Sequence, residues 1–168
     1  AVVPLKPSLA LVKYKNIDRL YFRLLKLDPE KDQKLNMKSQ DEVVAYYLGL
    51  QVVQSWNTSL PSDSDFQSHS TEVIIPSIPS GYYILLASSD EKFTSKSQLA
   101  YSRFWSTSLS VINKHNSNGE NEVYVLGRFG GQPLSKVKVQ SFTREYDYKS
   151  REYKEVAGKA YYSDKSGY

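Results

Sequence analysis

The 168-residue sequence contains no cysteine. That excludes a disulfide, a thiolate zinc site and a cysteine nucleophile. Only two histidines are present, His69 and His115, so imidazole chemistry has little to draw on. No run approaches the ~20 apolar residues of a membrane-spanning helix, and the chain is expected to be soluble, with no membrane insertion. The opening residues Ala1-Val2-Val3-Pro4-Leu5-Lys6-Pro7 lack the charged-then-apolar layout of a secretory signal. Any such signal is expected to have been removed.

A strong field of one sign is also lacking. The 22 basic and 18 acidic residues leave a net charge of +4. Residues 1–38 hold nine basic and four acidic side chains, residues 39–105 three and seven, and residues 106–168 ten and seven. The stretch Arg144–Glu155 (REYDYKSREYKE) interleaves charge with tyrosine, as some nucleic-acid binders do. Its four cations are matched by four anions, whereas phosphate binding needs uncompensated cations whose counterions can be released. The alternation reads instead as the solvent face of a hairpin with cross-strand charge pairs, and no nucleic-acid partner is expected.

What is present is β-strand pattern. Apolar residues fall in runs of four to eight, rich in Val, Ile, Leu and Tyr and bounded by Pro, Gly, Ser, Asn or Asp. Leu9–Tyr14, Leu20–Leu27, Leu50–Trp56, Thr71–Ile75, Tyr82–Ser88 and Tyr101–Trp105 read as strands. Tyr82–Ser88 is the most apolar run and is predicted to be central, covered on both faces. Asp28-Pro29-Glu30 reads as a stop followed by a Lys-rich loop to Lys38. Ser39-Gln40-Asp41-Glu42 has the form of a capping box, which predicts a short helix ending at Gly49. Ser106–Asn113, Glu122–Arg128, Lys136–Thr143, Arg151–Val156 and Lys159–Ser163 complete the strands.

The fold class is therefore all-β, two consecutive antiparallel immunoglobulin-like sandwich domains with one short helix in the first. The expected boundary lies near Ser106, giving domains 1–105 and 106–168. The second is expected to be incomplete, since about five strands in 63 residues fall short of the seven strands and roughly 100 residues of a full immunoglobulin-like sandwich. Its end, Ser163–Tyr168, reads as a turn leading toward a missing strand.

Candidate chemistry is thin. His69 follows Asp63 and Asp65 and sits among Ser64, Ser68 and Ser70. A metal site needs three or four ligands, and loop capping by Asp and Ser accounts for the same residues. His115 lies in a hydrophilic turn. Gly127-Arg128-Phe129-Gly130-Gly131 lacks the lysine and helix of a phosphate loop and reads as a hairpin turn. Asn57-Thr58-Ser59 satisfies the glycosylation sequon. The 14 tyrosines could line a sugar-binding face, but tyrosine is also a favoured strand residue. No catalytic, cofactor, metal or thioester residue is assigned, and no enzyme activity or cofactor is expected.

Two stretches carry a resemblance. The first runs Trp56…Leu60-Pro61…Asp65…His69-Ser70-Thr71-Glu72…Ile75-Pro76…Pro79…Gly81-Tyr82-Tyr83…Leu86-Ala87-Ser88. The second is Val123-Tyr124-Val125-Leu126…Gly131-Gln132-Pro133-Leu134…Val137-Lys138-Val139, closing with Ser163-Asp164-Lys165-Ser166-Gly167-Tyr168. Together, over residues 50–168, they resemble the macroglobulin-type domains in the N-terminal half of bacterial α2-macroglobulin-like proteins. The resemblance implies a large cell-envelope protein, periplasmic or outer-membrane-associated and often a lipoprotein, that traps proteases. It implies for this segment a scaffold role, with further domains of the same polypeptide as partners and proteases engaged through the parent molecule. Stacked domains need a partly apolar end, and Phe104 and Trp105 are the candidates for an interdomain contact. The alternative is a stand-alone envelope binding module for glycan or protein.

Overall fold

The computed structural model describes residues 1–35, 38–61, 65–94 and 99–168, the Glu152 side chain excepted. The chain divides into two compact units, Ala1–Thr107 and Ser108–Tyr168. Among the described residues, no helix is long and apolar enough to cross a membrane.

Unit 1 contains β1 (Ser8–Tyr14), β2 (Arg19–Leu27), α1 (Pro29–Lys34), α2 (Gln40–Leu48), β3 (Val52–Ser59), β4 (His69–Ile75), β5 (Gly81–Ser88) and β6 (Leu99–Ser106). An antiparallel sheet in the order β3-β2-β5-β6 forms its centre, and β1 and β4 pair as a separate two-stranded ribbon. The apolar run of β5 takes the middle of the sheet. Tyr83, Ile84, Leu85 and Leu86 are buried in succession, which requires cover on both faces because side chains alternate.

Each face has its own cover. On one side Leu85 packs with Leu20 and Phe22 of β2 and with Tyr14, Val73 and Ile75 of the ribbon. Leu24 and Tyr83, with Ile78, continue that cover. On the other side Ile84 and Leu86 pack with Leu25, Leu27, Phe93 and the α2 residues Val43 and Tyr47. Leu24 and Leu25 of β2 are both buried because consecutive strand residues point to opposite faces, and each face is covered. Each fully buried aliphatic or aromatic side chain contributes roughly 1.5–3 kcal/mol, so these clusters dominate the stability of unit 1.

The capping box forms as the sequence predicts. Ser39 Oγ accepts from the Glu42 N–H at 3.4 Å, and Glu42 Oε2 accepts from the Ser39 N–H at 3.1 Å. The expected loop after Asp28 is instead the helix α1. Asp28 Oδ1 accepts from the Glu30 and Lys31 N–H groups, and Pro29 stands in the first turn. Asp28-Pro29 is thus a helix start, where the sequence reading took it only as a strand stop.

Unit 2 contains two antiparallel hairpins, β7 (Leu109–His115) with β8 (Asn121–Gly127), and β9 (Lys138–Asp147) with β10 (Glu152–Tyr162). The two short strands read from 151–156 and 159–163 are one strand, interrupted in register between Ala157 and Ala160. The hairpin expected from the alternating charges is present. Lys154 lies opposite Glu145 and Glu155 opposite Arg144, while the Lys154 ammonium pairs with Asp147.

Candidate functional site

The most developed polar site in unit 1 brings together side chains from four elements. Asp32 is the one buried residue of α1, at 4% exposure. Its Oδ1 accepts from the Tyr47 hydroxyl of α2 at 2.7 Å, and its Oδ2 from the Tyr82 hydroxyl of β5 at 2.9 Å. Arg103 of β6 places Nε 3.3 Å from Asp32 Oδ1 and donates from Nε to the Tyr47 hydroxyl at 2.8 Å. Tyr101 meets Tyr47 edge-on at 5.4 Å, and the guanidinium lies over both rings.

Burial, reinforced by the hydrogen bond to Asp32, pushes the Tyr47 phenol far above its ordinary range. Burial likewise raises Tyr82. For Arg103, burial opposes the charge, but the Tyr47 hydrogen bond and the neighbouring Asp32 outweigh it and raise its pKa. Both phenols therefore stay protonated and donate to the carboxylate, while the guanidinium stays charged. The arrangement is a closed clasp. Its donors are engaged with one another, and it fastens α1 and α2 to the sheet. Removing one partner of such a buried pair costs about 3–5 kcal/mol.

The sequence reading missed this cluster entirely. The helix start at Asp28-Pro29 was the available signal for Asp32. Nothing local marks Tyr47, Tyr82 or Arg103, since Tyr47 and Arg103 lie 56 residues apart in sequence.

The residues named from the sequence lie elsewhere. Phe104 is half-buried and stacks on Tyr83 at 6.1 Å, in the packing around Leu24 and Ile78. Trp105 is 48% exposed and stacks on Tyr82 at 4.6 Å. The Trp105 carbonyl accepts from the Val2 N–H at 2.7 Å. His69 Nε2 lies 2.8 Å from Asp65 Oδ1. The Gln67 N–H and then the His69 ring lower the Asp65 carboxyl. Asp63 and Ser64 lie outside the described residues. No cluster of three or more metal-ligating side chains occurs among the described residues. His115 ends β7 on the surface, and Asn57 is exposed on β3. An open pocket in unit 1 is lined by residues of the β1–β2 connection, Asn16 and Ile17 among them, and by Ala87 and Ala100, apart from the clasp.

In unit 2 the two halves of the second sequence motif meet at β8. Val125, buried at 1% exposure, donates its N–H to the Gly167 carbonyl at 2.8 Å and accepts from the Leu134 N–H at 3.0 Å. Ser163 Oγ donates to the Leu134 carbonyl at 2.6 Å and accepts from the Val137 N–H at 3.0 Å. Asp164 Oδ1 accepts from the Ser166 hydroxyl, the Ser166 N–H and the Tyr168 N–H, and these donors lower its carboxyl pKa, the hydroxyl foremost. Gly167 has φ +82°, and a Cβ there would stand 2.6 Å from the Val125 carbonyl oxygen, so only glycine fits. The motif thus shapes a turn and carries no reactive group.

A sheet covered by a β-ribbon on one face and by helices on the other, followed in the chain by a small all-β unit, is a fold shared with domains of α2-macroglobulin. Two solved structures, both of native α2-macroglobulin from Escherichia coli, show the likeness. A segment spanning domains MG0-NIE-MG1 matches 94% of this chain with a TM-score of 0.61 and 11% identity. A segment spanning NIE-MG1 matches 97% of it with a TM-score of 0.58, again at 11% identity. The matched region is 49% of the first segment and 85% of the second, so this chain spans about half the length of the first. No protein-family model matches the sequence, and no curated protein does.

Proposed function

We propose that this chain is a non-catalytic structural segment of a bacterial α2-macroglobulin-like protein of the cell envelope, one that traps proteases. The observation that carries the reading is the likeness, over 94–97% of the chain, to consecutive domains of native α2-macroglobulin from Escherichia coli. The chemistry agrees with a scaffold. The clasp around Asp32 is closed on itself, and the Ser163–Tyr168 motif supports a turn. Trp105 offers the exposed aromatic surface that a contact with a neighbouring domain of a longer polypeptide requires, with Phe104 anchoring the strand end beneath it.

The test is the intact mass of the native polypeptide, captured from cells with an antibody against these residues. A mass many times the 19.2 kDa of this chain, with a protease retained by the purified whole molecule after exposure to it, is the expected result. A native polypeptide ending at Tyr168 overturns the reading.

A further inference from the structure

The sequence has no cysteine and a single methionine, the side chains that ordinarily take up oxidation first. One-electron oxidation therefore falls on the aromatic residues, and 14 of these are tyrosines. Two phenols join readily where their rings are already in contact and open to solvent.

Three tyrosines of unit 2 meet that condition together. Tyr146 of β9 stands directly opposite Tyr153 of β10, and their rings meet edge-on at 5.1 Å. Tyr148, in the turn beyond β9, also meets Tyr146 at 5.1 Å. Exposure is 41% for Tyr146, 59% for Tyr153 and 86% for Tyr148. The ladder holds the first pair in register. Asp147 lies opposite Glu152 and Glu145 opposite Lys154, one on each side of it, and the Lys154 ammonium pairs with Asp147 across it. Directly opposite strand residues bring their Cβ atoms within about 5 Å. The ring carbons beside the two hydroxyls can then touch as the exposed side chains turn.

The other tyrosine contacts among the described residues each lack one of these conditions. Tyr47 touches Tyr46 and Tyr101, but it is fully buried. Tyr124 touches Tyr168 at 5.3 Å, yet Tyr168 belongs to no strand and no ladder sets that pair.

We propose that Tyr146 and Tyr153 are a site of oxidative cross-linking, where a one-electron oxidant of the haem-peroxidase class, with hydrogen peroxide, joins the two rings as dityrosine. Each phenol gives up one electron and releases its proton to water. The two phenoxyl radicals couple through the carbons ortho to their oxygens. The hydrogens on those carbons then pass to the oxygens through water, which restores both phenols. The two electrons and two protons lost reduce one hydrogen peroxide to two waters. The bond ties β9 to β10 in a unit with a small core and, for want of cysteine, no disulfide. A cross-link acts by restricting the unfolded chain, so unit 2 gains stability and unit 1 does not. The inference is independent of the protease-trap reading.

Treating the 168-residue chain, kept dilute, with a haem peroxidase and hydrogen peroxide tests the assignment. Trypsin cuts after Arg144, Lys149, Arg151 and Lys154, so Tyr146 and Tyr148 leave on peptide 145–149 and Tyr153 on peptide 152–154. The expected product joins these two peptides, two hydrogen atoms lighter than their sum, with dityrosine emission from a monomeric chain. Tyr146→Phe and Tyr153→Phe, which keep the ring, should each abolish it with the dichroism spectrum unchanged, and Tyr148→Phe should leave it. Both tryptophans lie in unit 1. The unfolding transition seen by far-ultraviolet dichroism should therefore rise on cross-linking, while the one seen by tryptophan emission stays in place. A link confined to peptide 145–149, a link between Tyr124 and Tyr168, or one formed only between molecules overturns the proposal. So does an equal yield of the joined peptides in urea, where no ladder holds the pair, or a dichroism transition that the cross-link leaves unmoved.

Discussion

The two units of the chain are built on opposite principles. Unit 1 buries three clusters of apolar side chains, the largest members including Tyr47, Tyr83, Phe22 and Leu86 at 1% exposure or less. Among the described residues of unit 2, Val125 is the one large apolar side chain buried to that degree, while Val111, Phe142, Tyr148, Tyr153 and Tyr162 are all more than half exposed. Hairpin ladders, the Asp164 turn and rings stacked on the surface do there what a core does in unit 1. Tyr146, for instance, meets Tyr148 and Tyr153 edge-on at 5.1 Å, with the Arg144 guanidinium over Tyr153. Burial per residue sets the scale of stability, and small units bury the least. Unit 2 should therefore be the first to open. Both tryptophans, Trp56 and Trp105, lie in unit 1, so tryptophan emission follows unit 1 alone, while far-ultraviolet circular dichroism follows both units.

The largest effect should come from the clasp. Asp32→Ala leaves the Tyr82 hydroxyl without its acceptor and the Arg103 guanidinium without its carboxylate, and it removes the only buried side chain of α1. The tryptophan-detected unfolding free energy should fall by about 3–5 kcal/mol. Tyr82→Phe removes one donor and should cost about 1–3 kcal/mol. An Asp32→Ala protein whose tryptophan transition is unmoved would mean that the helices are held by apolar packing alone. In unit 2, Gly167→Ala forces a Cβ against the Val125 carbonyl at a positive φ. A loss of about 1–3 kcal/mol is expected, confined to the dichroism transition and invisible to tryptophan. A parallel shift of both signals would show that the two units unfold as one.

Below these comes the α2 cap. Ser39→Ala removes the acceptor for the Glu42 N–H and should cost about 1 kcal/mol, read by tryptophan emission because α2 covers the sheet that holds Trp56. This cap was legible in the sequence because its signal is local, a serine with a glutamate three residues on. The β5 run was legible for the same reason, since four consecutive buried residues demand cover on both faces. Asp28-Pro29 was equally local yet ambiguous. The same pair ends β2 and starts α1, and only the first reading was taken. The clasp was not legible, because Asp32, Tyr47, Tyr82 and Arg103 come together only when two helices settle on two strands. The sparse packing of unit 2 was hidden for a different reason. Its strands carry the alternation expected of a half-buried sheet, and alternation does not say whether anything covers the apolar side.

The smallest effect, and the one that separates the units most cleanly, is their response to pH. In unit 2 the Lys154 ammonium, aided by the Lys149 and Ser150 N–H groups, holds the Asp147 carboxyl down at about 2, and Asp164 is lowered by its turn. A carboxyl whose folded pKa lies below its unfolded value, about 3.9 for aspartate, stabilises the fold above that value, and the contribution is lost as pH falls toward the folded pKa. In unit 1 burial and the bond to Asp32 raise Tyr47 and Tyr82. Their contribution is complete below the unfolded phenol value of about 10 and is lost as pH rises beyond it. Glu42 and Asp65 are lowered too, but they lie outside the apolar clusters. Between about pH 4 and pH 2 the dichroism signal of unit 2 should therefore fall while tryptophan emission holds. Above about pH 10 the emission should move. Asp164→Asn should flatten the acid limb alone, and Tyr82→Phe the alkaline limb alone. Acid loss that runs in step in both signals would show that unit 1 draws on its surface carboxylates as heavily as unit 2 does, and that its buried clusters do not set it apart.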